Sequence, residues 1–270
     1  MSAIYNFVAD QISIMLMLAD VSIQPSFGPG IVVEASGDDY ICSKIKTKIE
    51  DESLQISFPI PLINGKYVTS GVVNKNNNHL TINDDWIDEN RKISVTIHVP
   101  QKTGVNILKL LGDSTIGSIS GPLKINGAMG FKMTSVDMAE CQVNISSGFK
   151  ASLGSVFGCL RIVTSSGSSV DVSSVIGDIK IDASSGGKVK ITEIASKDVD
   201  INSSANGQVE ISNGVCLTLS ASVSAGAKVE LGCSTSEADL KGSSGGKIHL
   251  YKCHTTPKIS KSSGAVITIG

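Results

Sequence analysis

The phrase Ser-Ser-Gly followed by alternating apolar residues recurs at Ser146-Ser147-Gly148, Ser165-Ser166-Gly167, Ser184-Ser185-Gly186, Ser243-Ser244-Gly245 and Ser262-Ser263-Gly264. Degenerate copies, Ser204-Ala205-Asn206-Gly207 and Ser224-Ala225-Gly226, fill the gap, so the spacing stays at 19 to 20 residues. A fixed period of this length constrains the fold more than any single residue can. One unit is too short to enclose a core by itself, and it becomes stable only by stacking on its neighbours.

Each corner is followed by a two-residue apolar alternation: Ala151/Leu153, Val170/Val172, Val189/Ile191, Val209/Ile211, Val229/Leu231, Ile248/Leu250 and Ile267/Ile269. A second alternation precedes the next corner, at Leu160/Ile162, Ile179/Ile181, Val199/Ile201, Leu217/Leu219 and Ala238/Leu240. Period two marks half-buried strands. Single apolar residues between the two alternations, Phe157, Ile176, Ile194 and Val215, are expected to fill a third side. One repeat therefore reads strand, bend, strand, corner. Seven or eight such coils, with weaker ones near Leu123/Ile125 and Met129 to Met133, would stack into a rod about 35 to 40 Å long at the usual spacing between strands. Gly is expected where the corner demands positive φ, and the paired Ser hydroxyls to bond the backbone of the same bend.

Composition agrees with a narrow tube. Of 270 residues, 41% are hydrophobic but only 4% aromatic, so small and β-branched side chains make up the interior. A net charge of -2 provides no basic field for phosphate backbones, and no nucleic-acid partner is expected. No apolar run reaches the ~20 residues of a transmembrane helix. Outward positions form the column Ser152, Asp171, Lys190, Glu210, Glu230, His249, Thr268, beside a second containing Lys188, Gln208, Lys228 and Lys247. Asp171 with Lys190, and Lys190 with Glu210, are the expected lateral ion pairs.

Residues 1 to 100 are less regular. Ile12/Ile14/Leu16/Leu18, Val21/Ile23, Ile31/Val33/Ala35, Leu54/Ile56/Phe58, Leu80/Ile82 and Ile93/Val95/Ile97/Val99 read as strands, with turns at Glu50-Asp51-Glu52-Ser53 and Asn74-Lys75-Asn76-Asn77-Asn78. The expectation is one continuous all-β domain: a β-strand-rich N-terminal cap and first coils over 1–100, irregular and antiparallel, then β-helix repeats over 101–270. The apolar stretch Ile12 to Leu18 has no preceding Lys or Arg and is flanked by Asp10 and Asp20, a poor secretion leader. Location stays open: cell envelope or surface if a leader has been removed, cytoplasmic if Met1 is the native start.

The phrases Leu54-Gln55-Ile56, Ile93-Ser94-Val95-Thr96-Ile97-His98-Val99-Pro100, the repeated Ser-Ser-Gly-x-Val/Ile-x-Ile/Leu and the closing Ser262-Ser263-Gly264-Ala265-Val266-Ile267-Thr268-Ile269 resemble the bacterial head GIN domain family, described as putative auto-transporter adhesins. The resemblance covers roughly residues 31 to 269. It implies a right-handed parallel β-helix and a cell-envelope or surface role, and it brings no catalytic motif.

Side-chain clusters point the same way. Six cysteines (Cys42, Cys141, Cys159, Cys216, Cys233, Cys253) show no C-x-x-C pair and no His at finger spacing, so free buried thiols are expected in place of a zinc site. Asp178, Asp198 and Asp200 fall on adjacent coils where stacked carboxylates can bind calcium, but Lys180 and Lys197 lie close enough to neutralise them. Cys253-His254 are neighbours on one strand and point to opposite faces, which disfavours a nucleophile and base. His79, His98 and His249 read as solvated surface residues. Asp84, Asp85, Asp88 and Glu89 surround Trp86 in an acidic, turn-like stretch, and Trp86 is the best centre for any sugar platform. No catalytic, cofactor or metal residues are assigned.

The expected function is a non-enzymatic binding or adhesion module, with polysaccharide or a surface protein as partner. The alternatives are a cytosolic self-assembling scaffold, similar in principle to bactofilins, and a carbohydrate-active β-helix enzyme. Self-association through the C-terminal coil edge is a further expectation, opposed by Lys258 and Lys261.

Overall fold

In a computed structural model, the described residues are 3–37, 42–43, 45–57, 62–63, 66–67, 73–74, 79–80, 93–111, 114–127, 132–135 and 138–270. They form a parallel β-solenoid of about 8 turns with antiparallel strands at its N-terminal end. Trp86 with its acidic neighbours, Phe58, Ile82, residues 75–78 and Met129 lie outside the described residues.

Val170, Val189, Val209 and Val229 are successive partners in one parallel ladder, and all four are buried. On the opposite face, Ile56, Ile14, Ile107, Ile125, Val143 and Ile162 lead into Ile181, Ile201, Ala221, Leu240 and Ile259. The ten steps of that ladder, at ~4.8 Å each, span on the order of 50 Å. It exceeds the length expected of seven or eight coils because strands from the irregular N-terminal segment join the stack.

The strand Gln11–Ser26 is the main contributor. Its first half lies parallel between Ser53–Ser57 and Gly104–Leu111, and its second half between Ile93–Pro100 and Ser114–Ile116. The apolar start of this strand is thus core, with Ile12 and Ile14 fully enclosed. Antiparallel pairing covers the end of the stack: Ile31–Ser36 on Ile93–Pro100, Ala3–Phe7 on Ile31–Ser36, and Lys46–Glu50 on Ser53–Ser57. The Asp51-Glu52 turn has φ of 48° and 61° and closes that last hairpin. Capping matters because a bare sheet edge is a template for foreign strands.

The Ser-Ser-Gly corners are tighter than expected. Gly186 has φ of 75°, and Ser185 before it is also left-handed at 47°. Two successive residues at positive φ make a type I′ turn, closed by the Gly187 N–H on the Ser184 carbonyl at 2.7 Å. In the degenerate copy the left-handed pair is Ala205 and Asn206, so Asn206 takes the glycine place, and Gly207 is the residue after the turn. Asn is among the few side chains that tolerate this conformation. Strain at each non-glycine corner is offset by bonds to the next coil, such as Gly167 N–H to Ser185 O at 3.3 Å and Gly186 N–H to Ala205 O at 3.1 Å. The closing bonds run main chain to main chain and do not come from the hydroxyls of the paired serines. Ser168, one residue past its corner, supplies the hydroxyl that bonds the bend, 2.7 Å from the Ser165 carbonyl and 2.6 Å from Thr164 Oγ1.

The third side corrects the sequence reading. Phe157 and Ile176 are 57% and 53% exposed and Val215 also points out, while Val156 and Val175, one residue earlier, are buried. Ile194 does face inward, completing the ladder Ile119, Met138, Val156, Val175, Ile194. The bend after Val172 leaves Ser173 exposed and Ser174 partly so, which shifts the alternation by one position before Val175. The parity of period two does not survive such a bend. Leu217 is likewise exposed, and the inward pair on that coil is Leu219/Ala221, in register with Val199/Ile201 and Ala238/Leu240.

Candidate functional site

The post-corner face carries its polar side chains in columns at coil spacing. Ser152, Asp171, Lys190, Glu210, Glu230, His249 and Thr268 are consecutive partners, as the spacing predicts. Lys188, Gln208, Lys228 and Lys247 form the neighbouring column. Lys190 Nζ lies 3.0 Å from Glu210 Oε1, and Lys228 Nζ lies 2.6 Å from Glu230 Oε1 on its own strand. Of the two lateral pairs expected for Lys190, the contact made is with Glu210. Hydrogen bonding to Lys190 holds the Glu210 carboxyl below the usual carboxylate range. His249 Nδ1 sits 2.9 Å from Thr268 Oγ1. A shallow groove of about 330 Å³ runs between the two columns.

A larger groove, about 470 Å³, follows the corners on the pre-corner side. Its floor is the column Asp182, Asn202, Ser222, Lys241 and Ser260, one residue per coil. Asn202 Nδ2 donates to Asp182 Oδ1 at 3.2 Å. Ser184, Ser204, Ser224, Ser243 and Ser262, the first residues of successive corners, form the wall. The side chains lining it are hydroxyls, an amide, one carboxylate and one ammonium, with Val163 and other small aliphatic groups among them. It is chemically suited to exchanging hydrogen bonds with a polar chain laid along the rod.

The other candidates separate in space. Asp200 pairs with Lys180 at 3.3 Å, Asp178 accepts the Asp198 backbone N–H at 3.3 Å, and Asp198 accepts the Thr218 hydroxyl. Each carboxylate thus has its own partner. Among the described residues no group of three or more His, Cys, Asp or Glu side chains is arranged to hold a metal ion. Cys253 is partly buried with its thiol directed at the Ser236 carbonyl, and His254 is exposed. His98 is half-buried between Gln24 and Val32 in register. The side chain of His79 is outside what is described.

None of the six cysteines is joined in a disulfide. Cys42, Cys141, Cys216 and Cys233 are buried as expected, but Cys159 is exposed in the bend beside Gly158. Burial pushes the Cys141 thiol up to about 12, with the Glu140 charge adding to it. No sequence signal marks the corner groove, because its column and its wall lie on different parts of each repeat and meet only once the coils stack. No helix among the described residues is long and apolar enough to cross a membrane.

A family model described as "Putative auto-transporter adhesin, head GIN domain" matches residues 21–215 and 180–269. No curated protein matches the chain. Among solved structures, a putative adhesin from Parabacteroides distasonis aligns over 99% of this chain and 96% of its own, with TM-score 0.55 and 13% identity. A putative lipid binding protein from the same organism aligns over 99% and 96%, with TM-score 0.48 and 11% identity. A putative adhesin from Bacteroides fragilis aligns over 100% and 97%, with TM-score 0.42 and 13% identity. At 13% identity the likeness to the first of these is one of fold.

Proposed function

The chain belongs to the head GIN domain family, described as putative auto-transporter adhesins, and on that premise we propose that it is a non-enzymatic binding module that takes an extended polysaccharide along its rod. The observation that carries this reading is the corner groove, in which Asp182, Asn202, Ser222, Lys241 and Ser260 repeat donors and acceptors once per coil. A polymer with its own regular spacing of hydroxyls meets such a column at several points. Each contact is weak, and affinity comes from their number. With no aromatic side chain lining the described groove, the affinity per site is modest.

Titration calorimetry against a panel of neutral and acidic polysaccharides tests it. Binding is expected in the micromolar to millimolar range, and Asn202→Ala and Lys241→Ala are each expected to weaken it several-fold. Release of reducing ends would replace this reading with a carbohydrate-active enzyme. Binding to a surface protein with none to any polysaccharide would move the partner class.

A second reading, end-to-end self-association, rests on the exposed Ile259, Val266 and Ile269 of the strands Lys258–Lys261 and Val266–Ile269. Light scattering decides it: a mass that rises across micromolar concentrations supports assembly, and a constant monomer mass removes it.

A further inference from the structure

We propose that Cys216 and Cys233 are an oxidisable pair that closes into a disulfide staple between two successive coils. Both are buried, at 4% and 0% exposure, on successive coils, and each thiol perturbs the other's ionisation. A one-residue irregularity creates the meeting. Ile211 partners Leu231, yet Val215 partners Ser234, so the earlier strand carries one extra residue there. Without it Cys216 would lie opposite Ser236, three positions from Cys233 and of opposite parity. With it Cys216 lies opposite Thr235, two positions from Cys233, and both side chains face the lumen.

The place is otherwise short of core. The inward aliphatic ladder of the third side ends where Ile194 meets Gly214. The two thiols, with Thr235, occupy the lumen beyond that point. Donation from the Cys233 thiol holds Cys216 below the ordinary cysteine range, whereas that bond and burial push Cys233 up. With Cys216 as the attacking thiolate and Cys233 as the resolving thiol the oxidation runs in two steps, and the reverse order gives the same disulfide.

The oxidant required is a peroxide, small enough to reach a site this enclosed. The Cys216 thiolate attacks one peroxide oxygen, the O–O bond breaks, and the departing oxygen leaves as water after protonation, giving a sulfenic acid at Cys216. The Cys233 sulfur then attacks the Cys216 sulfur and loses its proton, and the sulfenic hydroxyl departs as a second water. Two thiols are oxidised by two electrons, and one hydrogen peroxide is reduced to two waters.

Hydrogen peroxide treatment of the full chain, followed by unfolding, alkylation and peptide mapping, tests the pair. A peptide linked through Cys216 and Cys233 is expected, with alkylatable thiols falling from five to three in a Cys159→Ser background. The melting midpoint should rise by several degrees and return on addition of dithiothreitol, and Cys233→Ala should abolish both effects. If Cys233→Ala fails to fold, Cys216→Ser supplies the same comparison. Recovery of both residues as alkylated or separately over-oxidised peptides, or linkage of either to Cys253 instead, overturns the pairing. A linked peptide with an unchanged melting midpoint overturns the staple.

Discussion

Gly127 lies directly beneath the ring of Phe149: a Cβ on Gly127 would sit 2.9 Å from Phe149 Cδ2. Phe149 follows its corner at a position that is Ser168, Gly187, Gly207, Ala227 and Gly246 on later coils. It is the largest fully buried side chain described, and the coil before it makes room by omitting a side chain. Phe149→Ala is expected to cost ~3 to 5 kcal/mol, and Gly127→Ala ~1 to 3 kcal/mol by overpacking. Urea unfolding of both variants checks this, and a double variant losing less than the sum would show that the two sites share one cavity.

The corner glycines differ in what they require. Gly186→Ala meets open space but must hold φ at 75°, an expected cost of ~1 to 2 kcal/mol. At Gly187 the added Cβ would approach the Thr164 carbonyl oxygen to 2.6 Å, a backbone atom that cannot step aside, so Gly187→Ala should be worse. Ser185→Gly relieves a left-handed serine and should be neutral or better. Thermal melts of the three variants give the order.

Parity across the bend is testable by a neighbouring pair. Val175 is buried and Ile176 half-exposed, so Val175→Ser should cost ~2 kcal/mol or more while Ile176→Ser stays within about 0.5 kcal/mol. Equal effects in chemical denaturation would contradict the assigned facing.

Ser203 places its hydroxyl in the lumen between Ala183 and Val223, with no hydrogen-bond partner. An unsatisfied buried hydroxyl costs ~1 to 3 kcal/mol, so Ser203→Ala is expected to stabilise the protein by up to about that amount. A lower urea midpoint for the variant would be the contrary result.

The Lys190–Glu210 contact gives a pH signature. Because the folded-state pKa of Glu210 is lowered, chiefly by the hydrogen bond from Lys190, the stabilisation exists above the unfolded carboxylate value and disappears as pH falls through the folded one. Both groups are more than one-third exposed, so the effect is below ~1 kcal/mol. Glu210→Gln should lower stability slightly at pH 7, not at pH 3, and added salt should shrink the difference. A double-mutant cycle with Lys190→Met measures it.

Much of the solenoid was legible because its cause is local and repeated. Val170, Val189 and Val209 fall at the same phase of each repeat, and parallel stacking in register turns equal phase into contact. The outward run from Ser152 to Thr268 was readable for the same reason. Ile12/Ile14/Leu16/Leu18 and Val21/Ile23 read as two separate strands of a cap, whereas Gln11–Ser26 is one strand shared by several layers of the stack; its partners near residues 55, 95, 105 and 115 come from four segments with no common phrase.

Period, strand phase and the small-residue interior were determined by the sequence alone, since alternation and corner chemistry act over a few residues. Tertiary structure decided the facing of Phe157, Ile176, Val215 and Leu217, the left-handed Asn206, the corner groove and the meeting of Cys216 with Cys233. The groove and the Asn206 corner come from coils stacking in register, whereas the facing of the apolar residues and the placing of the two cysteines each turn on a single residue gained or lost at a bend. One residue reverses every side chain that follows it, and only the coil stacked alongside fixes where that residue falls.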